Sequence, residues 1–243
     1  MTALLERLGL PTDAPAVIVS GLGLGVSHAA NAGVYSALRL GAATSTALQM
    51  PCPWARHAAA RVTAEDDVGV QLTVNAEHEQ YRWGPLTQAP TLLDGDGGFP
   101  RTVDDMWDHA DVDEVHRECR AQLERARQWG VDVTHLGSHL DALLLRPEFF
   151  DVLLELAVDA ALPVRLAPAA RERQVGFPYR DLAAEAGVLH PALDSAELRA
   201  YNPDWTTQVE DHLLLVDDSE VDGRLRAVRT IGYGSLREAQ RQG

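Results

Sequence analysis

The chain reads as an α/β protein built on a mostly parallel sheet with covering helices, either a barrel or an open doubly wound sheet. Short β-branched runs alternate with helical segments from residue 16 onward, strand patterns are followed by glycine or proline punctuation, and 243 residues suffice for one compact domain. The first run, Ala16-Val17-Ile18-Val19-Ser20, ends at Gly21 and has the apolar continuity of a buried strand. Ser27 is placed to cap a helix over Asn31 to Leu40, which Gly41 terminates. Ala43 to Gln49 forms the second strand pattern, Pro51-Cys52-Pro53 a turn, and a further helix runs through about Arg61. Val68 to Val74 alternates as a third strand.

From Glu77 to Pro100 the chain turns to loop chemistry, with Gly84-Pro85 and Asp94-Gly95-Asp96-Gly97-Gly98. Loops this long in compact domains are often functional, so Asp94 to Gly98 is expected to act as a mobile lid or partner loop. Val112, Val115, Cys119, Leu123, Ala126 and Trp129 recur at spacings of three and four, predicting an amphipathic helix over Asp111 to Trp129, ended by Gly130. Val131 to Leu136 returns to strand, Pro147 to Ala160 to helix with proline in its first turn, and Pro163 to Leu166 to strand. Arg171 to Trp205 reads as loops carrying short helices. Thr207 to Val216 and Arg229 to Tyr233 are the last strand candidates, and no repeat or linker divides the chain into more than a single domain.

Composition narrows the function. A formal net charge of -15 disfavours nucleic acid and anionic membranes, which demand clustered positive charge. All basic residues are Arg, so Schiff-base and lysine-base mechanisms drop out. That bias fits a genome rich in G and C. Cys52 and Cys119 cannot build a disulfide framework and lack zinc-ligand spacing, which suits a reducing cytoplasm. The first residues lack the pattern of an export signal, and no apolar run reaches the roughly 18 residues of a membrane span.

Gly21-Leu22-Gly23-Leu24-Gly25 invites a dinucleotide-binding reading, but Val26 stands where the third glycine of that fingerprint belongs. No acidic residue follows about 20 positions on to hold a ribose. The glycines therefore read as a tight strand-to-helix turn. Serine-hydrolase, zincin and P-loop signatures are absent. His135 and His139 share strand parity if the strand extends that far, and His139, Asp141 and His212 are the candidates for acid–base work or a metal. The bland alternative is that each is an ordinary satisfied polar residue.

Read in order, several segments resemble the YdjC-like (ChbG/HpnK) carbohydrate deacetylases. Val19-Ser20-Gly21-Leu22-Gly23-Leu24-Gly25-Val26-Ser27-His28, with Asn31 and Gly33, is similar to a family opening that reads N-A-D-D-F-G-L-S-H. Pro51-Cys52-Pro53-Trp54, Gly69 to Val74 beside G-x-H-L-T-L, Tyr81 to Leu86, and Phe99 to Thr102 continue the match. Thr134 to His139 stands beside T-H-x-D-S-H, and Arg146 to Phe149 and Leu162 to Leu166 follow in register. The similarity covers about residues 16 to 170 and is weaker from Thr206 to His212 and at Leu236-Arg237.

This resemblance implies a distorted (β/α) TIM-like barrel and metal-dependent hydrolysis of sugar acetamido groups. In such chemistry a divalent ion, Mg or Zn, lowers the pKa of its water from 15.7 toward about 7 while a carboxylate acts as base. Carried over residue by residue, the D-D pair falls on Leu22 and Gly23, the strand histidine on Gln71, and the supporting Asp on Gly137. The last histidine is kept as His139, and His212 lies near a late family histidine. The resemblance with these substitutions implies a protein without metal or other cofactor, holding a carbohydrate-like molecule with Gln71, Arg82, Trp83 and Arg165. The alternative is an active hydrolase whose rebuilt site uses His139, Asp141 and His212. A homodimer is the assembly the resemblance suggests.

Overall fold

The computed structural model describes residues 6–10, 16–167, 169–191 and 229–242. It is a mixed α/β fold around a four-stranded parallel sheet with order β2-β3-β4-β5. These strands are β2 (Ser20–Gly21), β3 (Ser45–Leu48), β4 (Val68–Leu72) and β5 (Leu136–Ser138). A second parallel pair joins β1 (Ala16–Val17) to β6 (Arg229–Thr230). The central strand β4 is buried along its whole length, which is why it carries Val68, Val70 and Leu72 where a half-exposed strand would alternate with charge.

The first run is therefore not one strand but two. Thr44 sits at the break: its hydroxyl accepts from Val19 N–H at 3.0 Å and donates to Ile231 O at 2.7 Å, while Val19 O keeps backbone bonds from Thr44 and Ser45 N–H. Val131 to Leu136 also differs from the strand expected there, since β5 begins only at Leu136. Val131 and Val133 are buried in strand-like alternation, but the Val133 carbonyl is taken by the Arg237 guanidinium at 2.8 Å. Pro163 to Leu166 contributes a single parallel bridge, Leu136 to Val164, in which Leu136 N–H donates to Pro163 O at 3.0 Å and Arg165 N–H to Leu136 O at 2.8 Å; Pro163 has no N–H with which to carry the ladder further back.

Helices cover the sheet. Helix α1 (His28–Arg39) starts one turn earlier than expected, with Ser27 Oγ accepting from Ala30 N–H at 3.0 Å, and α2 (Ala55–Ala59) follows. Helix α3 (Val103–His109) was not legible as a separate helix, although Thr102 caps Asp105 N–H. Helix α4 (Val112–Gln128) matches its periodicity and is capped by Asp111. Helix α5 (Pro147–Ala160) has the expected bounds and ends at Ala161 in the left-handed region, φ 50°. Helices α6 (Ala169–Val175), α7 (Tyr179–Glu185) and α8 (Tyr233–Gln242) complete the described set. The strand expected at Thr207 to Val216 lies outside the described residues. One hydrophobic cluster runs from Leu24 to Val188, and no helix among the described residues is long and apolar enough to cross a membrane.

At the N-terminal end of β4, Asp67 gathers three elements. Its carboxylate accepts from Ser45 Oγ at 2.7 Å, Thr134 Oγ1 at 2.8 Å and Gly234 N–H at 2.6 Å. Beside it the His135 ring stacks on Tyr233 with centroids 3.9 Å apart. Gly69 is required here, because a Cβ on it would lie 2.5 Å from the His135 ring.

Candidate functional site

Parallel sheets place ligand sites at the C-terminal ends of their strands, and the candidate residues gather at that end of β2 to β5. Gln71 and Gly137 are direct partners across the β4–β5 ladder. Gln71 is 8% exposed and donates Nε2–H to Ser138 O at 2.7 Å. Its Oε1 lies 2.6 Å from where a Cβ on Gly137 would stand, so the amide fills the space that a side chain at 137 would need. Arg165 borders the same spot, its Cβ 3.8 Å from that virtual atom. Gln71, Gly137 and Arg165 are thus brought together at one spot.

His139 falls just past β5, in a 3-10 turn, so it does not share a continuous strand with His135. The two histidines have different surroundings. His135 is fully enclosed near Asp67 at the opposite end, where burial holds its pKa well below the ordinary value. His139 is engaged by Glu77, Nε2 to Oε2 at 2.9 Å. Burial pushes the Glu77 carboxyl up, but the hydrogen bond and charge of His139 outweigh it and hold the group below the usual range.

Directly after His139, Leu140 (φ 52°) and Asp141 (φ 57°) are consecutive non-glycine residues in the left-handed region. Each such residue costs roughly 1–2 kcal/mol, and such strain tends to collect at functional sites. Ser138 Oγ braces the turn by accepting from Leu143 N–H at 2.9 Å. His212, the third member of the expected acid–base set, lies outside the described residues.

At the end of β2, Leu22 is 46% exposed and Gly23 has φ 90°. The two positions onto which the resemblance carries the acid pair therefore present hydrocarbon and a left-handed backbone. Among the described residues no three His, Cys, Asp or Glu side chains converge in a way that could hold a metal ion. Cys52 is buried nearby, and burial, then the Glu77 charge, push its thiol well above the ordinary value. That removes it as a nucleophile at neutral pH.

Arg82 and Trp83 have structural partners. The Arg82 guanidinium meets Asp94 and the carbonyls of Ala76, His78 and Phe99, while Trp83 is 4% exposed and donates to Asn75 O at 2.8 Å. Asp94 also accepts from Asp96 N–H and Gly98 N–H through its side chain, closing the expected lid into a stitched turn. Tyr81 carries the loop across to the β2–α1 turn, donating to Val26 O at 2.7 Å.

Glu77 escaped the sequence reading. Its signal was present, because Gln71, Thr73, Asn75 and Glu77 are polar at every second position beyond an otherwise apolar strand.

Comparison with known proteins places the whole chain among relatives of one kind. A carbohydrate deacetylase of Thermus thermophilus is 31% identical over 97% of this chain and 98% of its own length. Another, from Thermoanaerobacter pseudethanolicus, is 26% identical over 93% of this chain and 89% of its own length. The crystal structure of an Enterococcus faecalis V583 protein named for cellobiose-phosphate cleavage superposes with a TM-score of 0.72 at 20% identity, covering 92% of this chain and 99% of that one. That likeness speaks for the fold. The profile of the YdjC-like proteins matches residues 16–227, and this chain belongs to the YdjC-like family.

Proposed function

We propose that this chain is a carbohydrate deacetylase homologue that has kept its family's ligand-binding mouth and lost the means to hold the family's metal. It binds a carbohydrate-like molecule at the strand ends without turning it over. The observation that carries the reading is the interlock of Gln71 and Gly137. The amide occupies the volume of the absent Asp side chain and is held by Ser138 O, so two former polar positions now form one filled, neutral unit. A catalytic zinc-type site takes three protein ligands and an open position, and this donor set does not fit it. Leu22 and Gly23 add no donor, and His139 is paired with Glu77.

The same proposal takes the sheet to close into a distorted barrel. Support comes from the return of β6 to β1, from Thr44 reaching Ile231 O, and from the bridge of Val164 onto β5. Relatives named carbohydrate deacetylases supply the ligand class.

The test is elemental analysis of protein purified without chelator, followed by acetate release from N-acetylated sugars and calorimetric binding of N-acetylated oligosaccharides. Metal-free protein that binds an oligosaccharide and releases no acetate is the expected result. Stoichiometric metal with turnover overturns it. Restoring the family residues with Leu22→Asp, Gly23→Asp, Gln71→His and Gly137→Asp should create metal affinity, although the φ of 90° at Gly23 will tax folding.

A second reading is favoured by the 2.9 Å His139–Glu77 pair and the strained turn beside it. In it a rebuilt hydrolase uses His139 as general acid or base, with Asp141 and His212. Acetate release by metal-free protein that disappears in His139→Gln would establish it.

A further inference from the structure

A second cluster lies between α1 and α2 and shares no residue with the strand-end mouth. His28, Asn31, Tyr35, Arg39, His57 and Arg61 line a cavity of about 320 Å³. Its charge runs against that of the chain. Two Arg and two His face it in a protein of formal net charge -15. Asp66 is the carboxylate that reaches it, 3.5 Å from Arg39, but its Oδ2 already accepts from Thr63 N–H at 2.8 Å and Thr63 Oγ1–H at 2.9 Å.

Hydrogen-bond logic shows that the cluster is incomplete. Asn31 has a fixed amide orientation: Oδ1 accepts from Gly25 N–H at 2.6 Å, and Nδ2–H donates to Trp54 O at 3.1 Å. The same Nδ2 faces His57 Nδ1 at 3.2 Å, so Nδ1 must accept and the ring proton sits on Nε2. But His57 Nε2 faces Arg61 Nη1 at 3.1 Å, and a guanidinium can only donate. Moving the proton to Nδ1 merely transfers the conflict to Asn31. Either tautomer leaves two donors pointed at each other.

The soft side of the conflict is Arg61, which is exposed and makes no ion pair among the described residues. His28, packed edge-on to Trp54 and 5.2 Å from it, likewise has no hydrogen-bond partner among them. Burial first, then the Arg61 and His28 charges, hold the His57 ring below the ordinary histidine value. Proton uptake by His57 is thus disfavoured beside the Arg61 guanidinium.

We propose that this groove binds a small phosphate-type oxyanion, free or as a monoester on a sugar. One oxygen accepts from both His57 Nε2–H and the Arg61 guanidinium, and the remaining charge faces Arg39 and His28. Arginine and histidine donors around a partly enclosed volume are the usual means of holding such a group. The acceptor between His57 and Arg61 removes the donor conflict, which no neutral sugar hydroxyl does with comparable charge complementarity.

The test is an imidazole 1H–15N spectrum of the full chain titrated to millimolar levels with inorganic phosphate, glucose 6-phosphate and glucose. The His57 ring signals should move with a phosphate-bearing probe and stay in place with glucose. Movement with inorganic phosphate supports a free anion, and movement with glucose 6-phosphate alone supports a monoester. Arg61→Gln should weaken binding about tenfold, equivalent to ~1.4 kcal/mol, with an unchanged melting temperature. Arg39→Gln should weaken it less. Silence at His57 with both phosphate probes, an equal response to glucose, or undiminished affinity in Arg61→Gln would overturn the proposal.

Discussion

Gly137→Ala is the most direct probe of the strand-end mouth. The added Cβ would stand 2.6 Å from Gln71 Oε1 and 3.4 Å from its Cδ, closer than real contacts allow. Gly137 is not among the positive-φ glycines, so the cost is steric rather than conformational. Relief requires Gln71 to turn away, which breaks its 2.7 Å bond to Ser138 O in a site where both residues are buried. Overpacking costs about 1–3 kcal/mol and a lost buried hydrogen bond about 1 kcal/mol. Replacing glycine also stabilises by roughly 0.4–1 kcal/mol through the unfolded chain. The net expectation is destabilisation by about 1–3 kcal/mol, or roughly 2 to 12 °C in melting temperature for a chain of this size. Denaturant titration of Gly137→Ala, Gln71→Ala and the double variant gives the coupling, which should recover at least ~1 kcal/mol in the double. Additive effects, or a Gly137→Ala variant as stable as the parent, would refute the interlock.

Two further outcomes concern pH. His135 has its folded pKa depressed by burial, so the unfolded chain binds the extra proton first and stability falls as pH drops below about 6.5. Thermal melts across that window should show the loss, and a His135→Asn variant, though weaker overall, should show a shallower slope. Glu77, held low by His139, contributes stability fully above its ordinary value of 4.5 and loses it as pH falls through the folded value. Glu77→Gln should cost on the order of 1 kcal/mol or less at neutral pH, since the pair is partly exposed, and should flatten that acid limb in urea titrations.

Periodic burial was legible in the sequence and side-chain competition for backbone was not. Helices α4 and α5 followed from apolar spacing, Asp111 and Pro147, because those signals act within one turn of the chain. The shift of β5 to Leu136–Ser138 could not be read locally, since the Val133 carbonyl is taken by Arg237 from more than a hundred residues away. At the strand ends, spacing and family likeness singled out Gln71, Gly137, His139 and Arg165, and the structure puts Gln71 and Gly137 side by side on the β4–β5 ladder. What escaped was the partnership of Glu77 with His139, made by two segments 62 residues apart, and the use of Arg82 and Trp83 as loop anchors. An arginine and a tryptophan in a long loop look the same in sequence whether they grip a ligand or the loop itself.

The Arg82–Asp94 anchor has a consequence for the proposed binding of a carbohydrate-like molecule. With the segment after Glu77 tied to Asp94, Phe99 and, through Tyr81, Val26, the rim beside the strand ends is preset before any encounter. If the proposed function holds, docking of a carbohydrate-like molecule would resemble a key meeting a finished lock, with little ordering entropy set against affinity. Recognition of this kind trades breadth for selectivity, because a rim that does not yield rejects guests of the wrong outline instead of remoulding around them.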